Sequence, residues 1–481
     1  MEAVITAANP KSGVEAKSKM KLLFCCAEYW PSVGGVQEVM RQIAERMAAA
    51  GHEVTVATRT HPDRRVNSHN GVQIEGFNIS GNLVVGLRGE VDRYRRFLGD
   101  FDGDAILIKA AQQWSFDALW PVLDQIGARK VFVPCGFSSF YEPSFRTYFR
   151  QLPDILRKFD HLIFYAEHYR DIDFARANGL ANFSVIPNGA SELEFGREIR
   201  RNGELRREFG IPPTDLLLLS VGAPIHSKGH EIVAEAFKQV SLPGRGATLL
   251  LNGDWPRPGT RFTADRFGAA LRRFASAESV RRGIRLFREA GLKGVMERVF
   301  PTPPPPQPKV VKLSEGVEAC SGRAVADLNT AANVPGSTFK KTVLRLDLPR
   351  KKVVDAFFEA DLFVFASKVE YSPLVLFESA AAGTPFLTVP AGNAAEIVQW
   401  TGGGWLCPAE ADDRGYVRVS PTVLAREIEK GFRSPENLRK LGAAGRQAWL
   451  ERFTWTKISQ SYERVLRGET VVSQVRPDAA E

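Results

Sequence analysis

Residues 368–385 read KVEYSPLVLFESAAAGTP, and together with the residues before them they predict a strand, a tight turn and a helix. The strand is residues 361–366 (DLFVFA), an apolar run that is short and aromatic enough to be buried. Ser372 stands where a helix N-cap belongs, and Pro373 takes the first helical position, where a missing N–H costs nothing. Gly383 suits the left-handed residue that ends a helix. We therefore expect the N-terminus of the helix to face the turn.

This geometry predicts an anion site. The amides of Leu374 and Val375 are donors without a helical partner, at the positive end of the helix dipole. Glu370 lies in the turn, and Glu378 lies five residues inside the helix, roughly 7–8 Å along its axis from Pro373. A nucleotide-sugar would fit with its sugar near Glu370, its diphosphate at the amides and its ribose near Glu378. For an isolated pair of glutamates, a surface role for the second one is the alternative.

The stretch resembles the E-x7-E element of retaining glycosyltransferases with the GT-B fold, in particular glycosyltransferase family 4. The chain keeps both glutamates, the small-residue helix, the glycine turn and Pro385. It replaces the second glycine of the family pattern with Ser372–Pro373, and the proline removes one amide donor. The resemblance implies that Glu370 positions the donor sugar as the catalytic residue and that Glu378 binds the ribose.

The N-terminal sequence predicts a βαβ unit, with strands at 21–27 and 53–58 around a loop and a helix. Such a unit implies a parallel sheet with its ligand crevice at the carboxyl ends of the strands. In the loop, Gly34 and Gly35 allow the backbone to approach a ligand, although two glycines also suit an ordinary loop. Residues 31–58 resemble the opening of family 4, in which such glycines approach the donor phosphates.

Residues 222–230 (GAPIHSKGH) follow a predicted buried strand and resemble the family turn in which an arginine and a lysine neutralise the donor diphosphate. Lys228 and Gly229 match the family pattern, whereas Ala223 stands at the arginine position. Either another cation such as His226 or His230 compensates, or the donor is bound weakly, or it is bound differently. A solvated lysine is the alternative for Lys228.

The predicted strand at 130–134 leads into a loop where many family members carry a histidine near the sugar. Here Cys135 and Gly136 occupy that place, and neither replaces an imidazole as a donor. The resemblance therefore implies no catalytic histidine in this chain. Ser138, Ser139 and Tyr141 offer hydroxyl groups to an acceptor, although loop hydroxyls are usually solvated.

The resemblance implies an α/β protein with the GT-B fold, in which two Rossmann-like domains face each other across a cleft. The first domain, for the acceptor, is expected at 20–195 and is completed by a C-terminal helix at 452–467. The second domain, for the donor, is expected at 210–451. Residues 1–19 are expected to be a disordered lead, and residues 468–481 a loose tail.

Residues 257–341 interrupt the family pattern in the second domain and are far longer than an ordinary loop. Within them, residues 261–300 hold ten lysines and arginines against four acidic residues, which supplies +6 of the chain's net charge of +9. Their apolar residues recur at helical spacing and predict two amphipathic basic helices, which either lie on anionic lipid or pack on the domain with a solvated basic face. Residues 301–341 are expected to be extended and mobile.

Composition limits the function classes. The 481 residues suffice for two domains, and the positive net charge favours anionic company such as nucleotide phosphates or an acidic lipid surface. The five cysteines have no metal-ligand spacing and indicate buried thiols in a reducing compartment. We find no signal peptide and no transmembrane span in the sequence, so we expect a cytoplasmic protein, with a peripheral position at the inner face of the membrane as an option.

These features predict a retaining, nucleotide-sugar-dependent hexosyltransferase that acts on a glycan, lipid-linked or small-molecule acceptor, in glycan or cell-envelope polysaccharide biosynthesis. We expect no metal or other cofactor, because the helix dipole and Lys228 would take the charge of the leaving diphosphate. Nucleic acid is not an expected partner. The alternatives are a non-catalytic GT-B-like scaffold that binds a partner or a membrane through its basic insert, and another GT-B enzyme such as an epimerase or a phosphorylase.

Overall fold

The computed structural model describes residues 18–196, 202–242, 244–255, 323–328 and 341–471. In chain order its strands are β1 (Lys21–Cys25), β2 (Glu53–Arg59), β3 (Ser68–His69), β4 (Val72–Phe77), β5 (Ile79–Ser80), β6 (Arg88–Gly89), β7 (Ala105–Lys109), β8 (Arg129–Val133), β9 (His161–Phe164), β10 (Phe183–Val185), β11 (Leu216–Val221), β12 (Ala247–Asn252), β13 (Arg323–Leu328), β14 (Lys341–Asp347), β15 (Leu362–Phe365), β16 (Phe386–Thr388), β17 (Gly404–Leu406), β18 (Glu410–Ala411) and β19 (Val417–Arg418).

The α-helices are α1 (Gly35–Ala49), α2 (Val91–Gly99), α3 (Trp114–Asp117), α4 (Arg146–Leu156), α5 (Arg170–Ala177), α6 (Glu192–Phe195), α7 (Glu204–Glu208), α8 (His230–Gln239), α9 (Arg350–Glu359), α10 (Leu374–Ala382), α11 (Ala394–Thr401), α12 (Pro421–Phe432), α13 (Pro435–Ala448) and α14 (Trp455–Leu466). Short 3-10 turns lie at Trp120–Gln125, Pro143–Phe145 and His226–Lys228.

The first sheet has eight strands in the order β10-β9-β8-β7-β1-β2-β4-β3. All neighbours are parallel except β3 and β4. Strand β7 is buried along its whole length, and its first four residues are apolar, because helices cover both faces of a parallel sheet. The strand order reverses at β1, so the crevice for a ligand lies at the carboxyl ends of β1 and β7.

The second sheet has seven strands in the order β13-β14-β12-β11-β15-β16-β17. Its central strands are parallel, and β13 is an antiparallel edge strand beside β14. The order reverses between β11 and β15, which places a second crevice at the carboxyl ends of these two strands. The turn that carries Glu370, residues 366–373, follows β15 and is called the glutamate turn. The turn with Lys228 follows β11.

The last helix returns to the first sheet. Helix α14 packs its buried residues Trp455, Ile458 and Tyr462 into the core formed by β1, β2 and α1. Thr454 caps this helix by accepting a hydrogen bond from the Lys457 amide at 3.4 Å.

Two stretches are interrupted at a proline, and one sequence-based expectation needs correction. Residues 421–445 form two helices, α12 and α13, because Pro435 disfavours a helical conformation at the residue before it. Residues 115–126 form the short helix α3 and a 3-10 turn, because Pro121 lacks the N–H that would continue the helix. Residues 323–328, expected within a mobile stretch, are instead the paired strand β13.

Other expectations lie outside the described residues. These are the basic helices at 261–300 with their membrane contact, residues 1–17 of the lead and residues 472–481 of the tail. They stay predictions. Within the described residues, no helix is long and apolar enough to cross a membrane.

Candidate active site

The glutamate turn begins the site at the carboxyl end of β15. Helix α10 starts at Leu374, and Gly383 ends it with a left-handed φ of 70°, as the sequence predicts. The predicted cap is wrong, however, because Pro373 is the N-cap residue and Ser372 lies outside the helix. The Ser372 hydroxyl is buried without a hydrogen-bond partner in the described structure. The amides of Leu374 and Val375 thus open the helix, where an amide has no intrahelical acceptor.

Glu370 and Lys228, predicted from separate motifs, lie together. The Lys228 Nζ is 2.6 Å from the Glu370 Oε1, and the Glu370 side chain is only 11% exposed. The two residues follow β15 and β11, the strands between which the order of the second sheet reverses. Gly229 makes this approach possible, because its φ is +71° and a Cβ there would lie 2.0 Å from the Ala366 carbonyl oxygen. The pair therefore sits where an open α/β sheet binds its ligand.

Glu378 is buried one turn further along α10, and sequence reasoning missed its partner. The Arg350 Nη2 lies 2.6 Å from the Glu378 Oε1 and 2.7 Å from Glu194. Burial raises the pKa of Glu378, and the charge of Arg350 opposes that rise. Arg350 opens α9 directly after a proline loop, so its sequence indicated only a helix start. A ribose bound to Glu378 would therefore share this carboxylate with Arg350.

The predicted glycines begin α1, with Gly34 as the N-cap residue and Gly35 as the first helical residue. A Cβ on Gly35 would meet no atom within 4 Å, so packing does not require glycine there. In the same first turn, the pKa of Glu38 is lowered against the effect of burial by contacts to Arg41 and by the charge of Arg350. The start of α1 therefore lies within electrostatic range of the Arg350–Glu378 pair.

The histidines considered as replacement cations have partners other than the two predicted glutamates. The Nε2 of His230 donates a hydrogen bond to the Gly222 carbonyl oxygen at 3.0 Å, and burial lowers the pKa of this histidine, which favours the neutral imidazole. His226 is 81% exposed and lies 2.8 Å from Glu231. Arg350 and Lys228 are therefore the cations that stand beside the two predicted glutamates.

The loop after β8 has an unusual backbone. Cys135, Gly136 and Phe137 all have left-handed φ values, of 63°, 84° and 48°. Two residues outside glycine in this region indicate a backbone held in place by its surroundings, as is frequent at functional sites. Burial raises the pKa of the Cys135 thiol, which keeps it protonated.

The hydroxyl groups predicted for an acceptor belong to the same loop. The Ser138 hydroxyl donates to the Gln112 Oε1 at 3.3 Å, and the Ser139 amide donates to the same oxygen. Tyr141 is exposed and its ring faces Arg170 at 5.6 Å. Gln112 itself is buried with a left-handed φ of 64°, so sequence reasoning could not have selected it.

A cavity of about 1200 Å³ lies at the opposite edge of the second sheet, beside the first residues of β11 and β16. Its wall includes Arg433 and Arg446, and Arg446 donates to the carbonyl oxygens of Phe195 and Ala381. Ala381 belongs to the last turn of α10, where a cation is favoured by the helix dipole. Arg446 therefore stabilises the ends of two helices, and neither Glu370 nor Glu378 lines the cavity. No group of three or more metal-ligating side chains occurs among the described residues.

Comparison with known proteins agrees with this geometry. A family model described as Glycosyltransferase Family 4 matches residues 33–192, and one described as Glycosyl transferases group 1 matches residues 340–448. Together the matches cover more than half of the 481 residues. No curated protein matches the chain in sequence.

Several solved structures share the fold. Sucrose-phosphate synthase from Thermosynechococcus elongatus is 18% identical with a TM-score of 0.61, over 94% of this chain and 99% of that one. HepE from Anabaena, solved in complex with UDP, is 15% identical with a TM-score of 0.60, over 93% and 100%. WaaG, a glycosyltransferase involved in lipopolysaccharide biosynthesis, is 15% identical with a TM-score of 0.56, over 93% and 100%. The expected GT-B fold with two Rossmann-like domains is confirmed, and the chain belongs to glycosyltransferase family 4.

Proposed function

We propose that this glycosyltransferase moves a sugar from a nucleotide-sugar donor to a glycan, lipid-linked or small-molecule acceptor with retention of configuration. The observation that carries the proposal is the 2.6 Å pair of Glu370 and Lys228 at the point where the second sheet reverses its strand order. A hexosyl donor and a role in polysaccharide biosynthesis extend the same proposal. HepE, which shares the fold, has also been solved with UDP-glucose, and this supports a nucleotide-sugar as donor.

The proposed roles follow from the contacts. The donor diphosphate lies at the amides that open α10, and Lys228 turns from Glu370 to a phosphate oxygen. Glu370 is then free to accept hydrogen bonds from sugar hydroxyls, which fixes the sugar for reaction. Glu378, held by Arg350, accepts hydrogen bonds from the ribose hydroxyls.

In the reaction the bond between the sugar C1 and the diphosphate oxygen breaks, and the electron pair leaves with the nucleoside diphosphate. The acceptor oxygen bonds to C1 on the same face, and its proton goes to the departing phosphate oxygen. Lys228 and the helix dipole stabilise the charge that develops on this oxygen. We infer that the reaction requires neither a protein base nor a metal ion.

A donor screen tests this proposal. The wild-type chain is incubated with UDP-, GDP- and ADP-sugars, with candidate acceptors and with or without EDTA, and released nucleoside diphosphate is measured. We expect release from at least one donor in both buffers, and a loss on the order of 100-fold in Glu370→Gln. Glu410→Gln is the matched control, because Glu410 is exposed on β18 and no hydrogen bond or ion pair joins it to Glu370 or Lys228 in the described structure. An NMR spectrum of the product reports whether the anomeric configuration is retained.

Two outcomes would contradict the proposal. Binding of donors without turnover, in every combination, would favour the scaffold that Ala223 and the missing histidine suggest. Equal turnover by Glu370→Gln and Glu410→Gln would remove Glu370 from the reaction.

A further inference from the structure

Three consecutive residues of the glutamate turn are hydrogen-bonded to the first domain. The Tyr169 hydroxyl donates to the Glu370 carbonyl oxygen at 2.7 Å, and the Asn188 side chain donates to the Ser372 carbonyl oxygen at 3.0 Å. Between them, the Tyr371 hydroxyl accepts from the Tyr165 amide at 3.0 Å. The turn that carries the proposed catalytic carboxylate is thus fixed to the opposite domain at Glu370 and at the two residues that follow it.

Tyr371 makes the deepest of these contacts. Its hydroxyl also interacts with the carboxylate of Asp171, a fully buried residue that accepts a hydrogen bond from the Gly136 amide at 2.8 Å. Its ring packs against the rings of Tyr165 and Tyr169, with centroid distances of 5.3 Å and 4.7 Å. The polar and the apolar partners of the Tyr371 side chain therefore both belong to the first domain.

The ring of Tyr371 fills the space of a side chain at position 136. A Cβ on Gly136 would lie 2.9 Å from the Tyr371 Cγ and 3.1 Å from the Tyr169 Cε1, and Gly136 has a φ of +84°. A histidine there would clash with the tyrosine and strain the backbone. Because the ring of Tyr371 occupies this space, Tyr371 after Glu370 and a histidine at position 136 exclude each other.

We propose that Tyr371 is a positioning residue, which holds Glu370 in its reactive orientation by anchoring the turn to Asp171 and Tyr165 of the first domain. This inference rests on the proposed function, because it assigns Tyr371 a role in that reaction. The backbone of Glu370 sets the direction of its carboxylate, and a turn that loosens by a fraction of an ångström misplaces the sugar at the moment of transfer. Donor affinity depends more on the diphosphate and ribose contacts, which Tyr371 does not make.

The test compares Tyr371→Phe with Tyr94→Phe. Tyr94 is a matched control, because its buried hydroxyl donates to the Ser115 carbonyl at 2.7 Å within the same domain and is distant in sequence from the glutamate turn. Losing the hydrogen bond from the Tyr165 amide and the interaction with the buried Asp171 carboxylate is expected to lower kcat at least about tenfold in Tyr371→Phe, with the donor KM changed less than about threefold. Tyr94→Phe is expected to lower the melting temperature and to leave kcat unchanged.

A double variant and a hydrogen-exchange measurement separate the positioning role of Tyr371 from a general loss of stability or activity. If Tyr371 acts through Asp171, adding Asp171→Asn to Tyr371→Phe lowers kcat little further than either change alone. Hydrogen exchange at the Tyr165 amide, whose acceptor is the Tyr371 hydroxyl, is expected to accelerate at least about tenfold in Tyr371→Phe and to stay unchanged in Tyr94→Phe.

The possible failures are distinguishable. No turnover by the wild-type chain refutes the proposed function, while hydrogen exchange still tests the anchor. Turnover by the wild type with equal kcat in Tyr371→Phe and Tyr94→Phe refutes the positioning role and leaves the proposed function standing. Unchanged exchange at Tyr165 overturns the anchor itself.

Discussion

Lys109 is a buried lysine at the carboxyl end of β7, and replacing it with methionine should stabilise the protein. Its side chain is 1% exposed, and its Nζ has no hydrogen-bond partner in the described structure. The favourable contact that we observe is the ring of Tyr165, whose centroid lies 5.1 Å from the Nζ. Burial lowers the pKa of Lys109 from 10.5 to about 8, and the thiols of Cys135 and Cys26 oppose this only in part. Methionine keeps the shape of the chain and removes the charge.

The size of the gain follows from the pKa. The difference between 10.5 and about 8 corresponds to about 3.4 kcal/mol at 1.36 kcal/mol per tenfold change in acidity constant. Methionine gives up the attraction between the ammonium and the ring, which is about 1 kcal/mol. At pH 7 we therefore expect Lys109→Met to gain about 2 kcal/mol, or a rise of about 4–8 °C in the melting temperature of the first domain.

The stability difference between Lys109→Met and the wild type should depend on pH in a defined direction. The folded-state pKa is below that of the unfolded chain, so between about pH 8 and pH 10.5 the unfolded chain binds more protons and the wild type gains stability as the pH rises. The variant lacks this gain, so the two melting temperatures should converge between pH 7 and pH 10. Calorimetry at pH 7, 8.5 and 10 measures the difference.

Lys130→Met is the control for this experiment. Lys130 lies on the neighbouring strand β8, and its Nζ donates to the Ile126 carbonyl at 3.0 Å, with Asp160 at 3.9 Å. Because this lysine has partners, we expect its replacement to cost stability by about 1 kcal/mol. A loss of stability in Lys109→Met at pH 7, or a difference that does not change with pH, would refute the reasoning and would mean that the buried ammonium has an anionic partner in solution.

Two further predictions concern other buried charges. Arg350→Met should leave the buried Glu378 carboxylate uncompensated and raise the donor KM more than it changes kcat. The control Glu194→Gln keeps the 2.6 Å pair of Arg350 and Glu378 and should raise the donor KM less. Equal effects of the two variants in steady-state kinetics would argue against a role for the pair. Burial raises the pKa of Asp117 to about 6, so the folded state binds more protons and wild-type stability should fall as the pH rises from 4 to 7, by up to about 3 kcal/mol. Asp117→Asn should reduce this fall in urea unfolding, and an unchanged slope would contradict the assignment.

The strands could be predicted from the sequence because parallel strands buried on both faces are continuous apolar runs. The strands predicted at 53–58 and 130–134 are confirmed as β2 and β8, to within one residue at each end. Lys228 and Glu370 could also be selected, since each follows a strand of this kind in a motif of its own. Their 2.6 Å contact joins positions that are 142 residues apart, and the strand order, which local patterns do not contain, brings them together.

The residues missed by sequence reasoning share a physical reason. Arg350 lies beside Glu378 because α9 and α10 pack together, and Tyr371 contacts Tyr165 across the two domains. Neither residue type is unusual in its local sequence, and the meaning of each depends on a distant partner. The predicted cap failed for a local reason, because Pro373 adopts an extended ψ of 115° and cannot be the first helical residue that the sequence indicated.

The arrangement of cations answers the question that Ala223 raises. The family arginine is absent, yet each of the two glutamates has a cation 2.6 Å from its carboxylate, Lys228 at Glu370 and Arg350 at Glu378. An unpaired carboxylate in this partly buried crevice would repel the diphosphate of the proposed donor, and pairing with the cations reduces this repulsion. In the proposed complex, sugar and ribose hydroxyls would become the partners of the carboxylates, and the same cations would then be available to phosphate oxygens. Exchange of partners would in this way let two residues neutralise the glutamates in the free enzyme and the diphosphate in the complex.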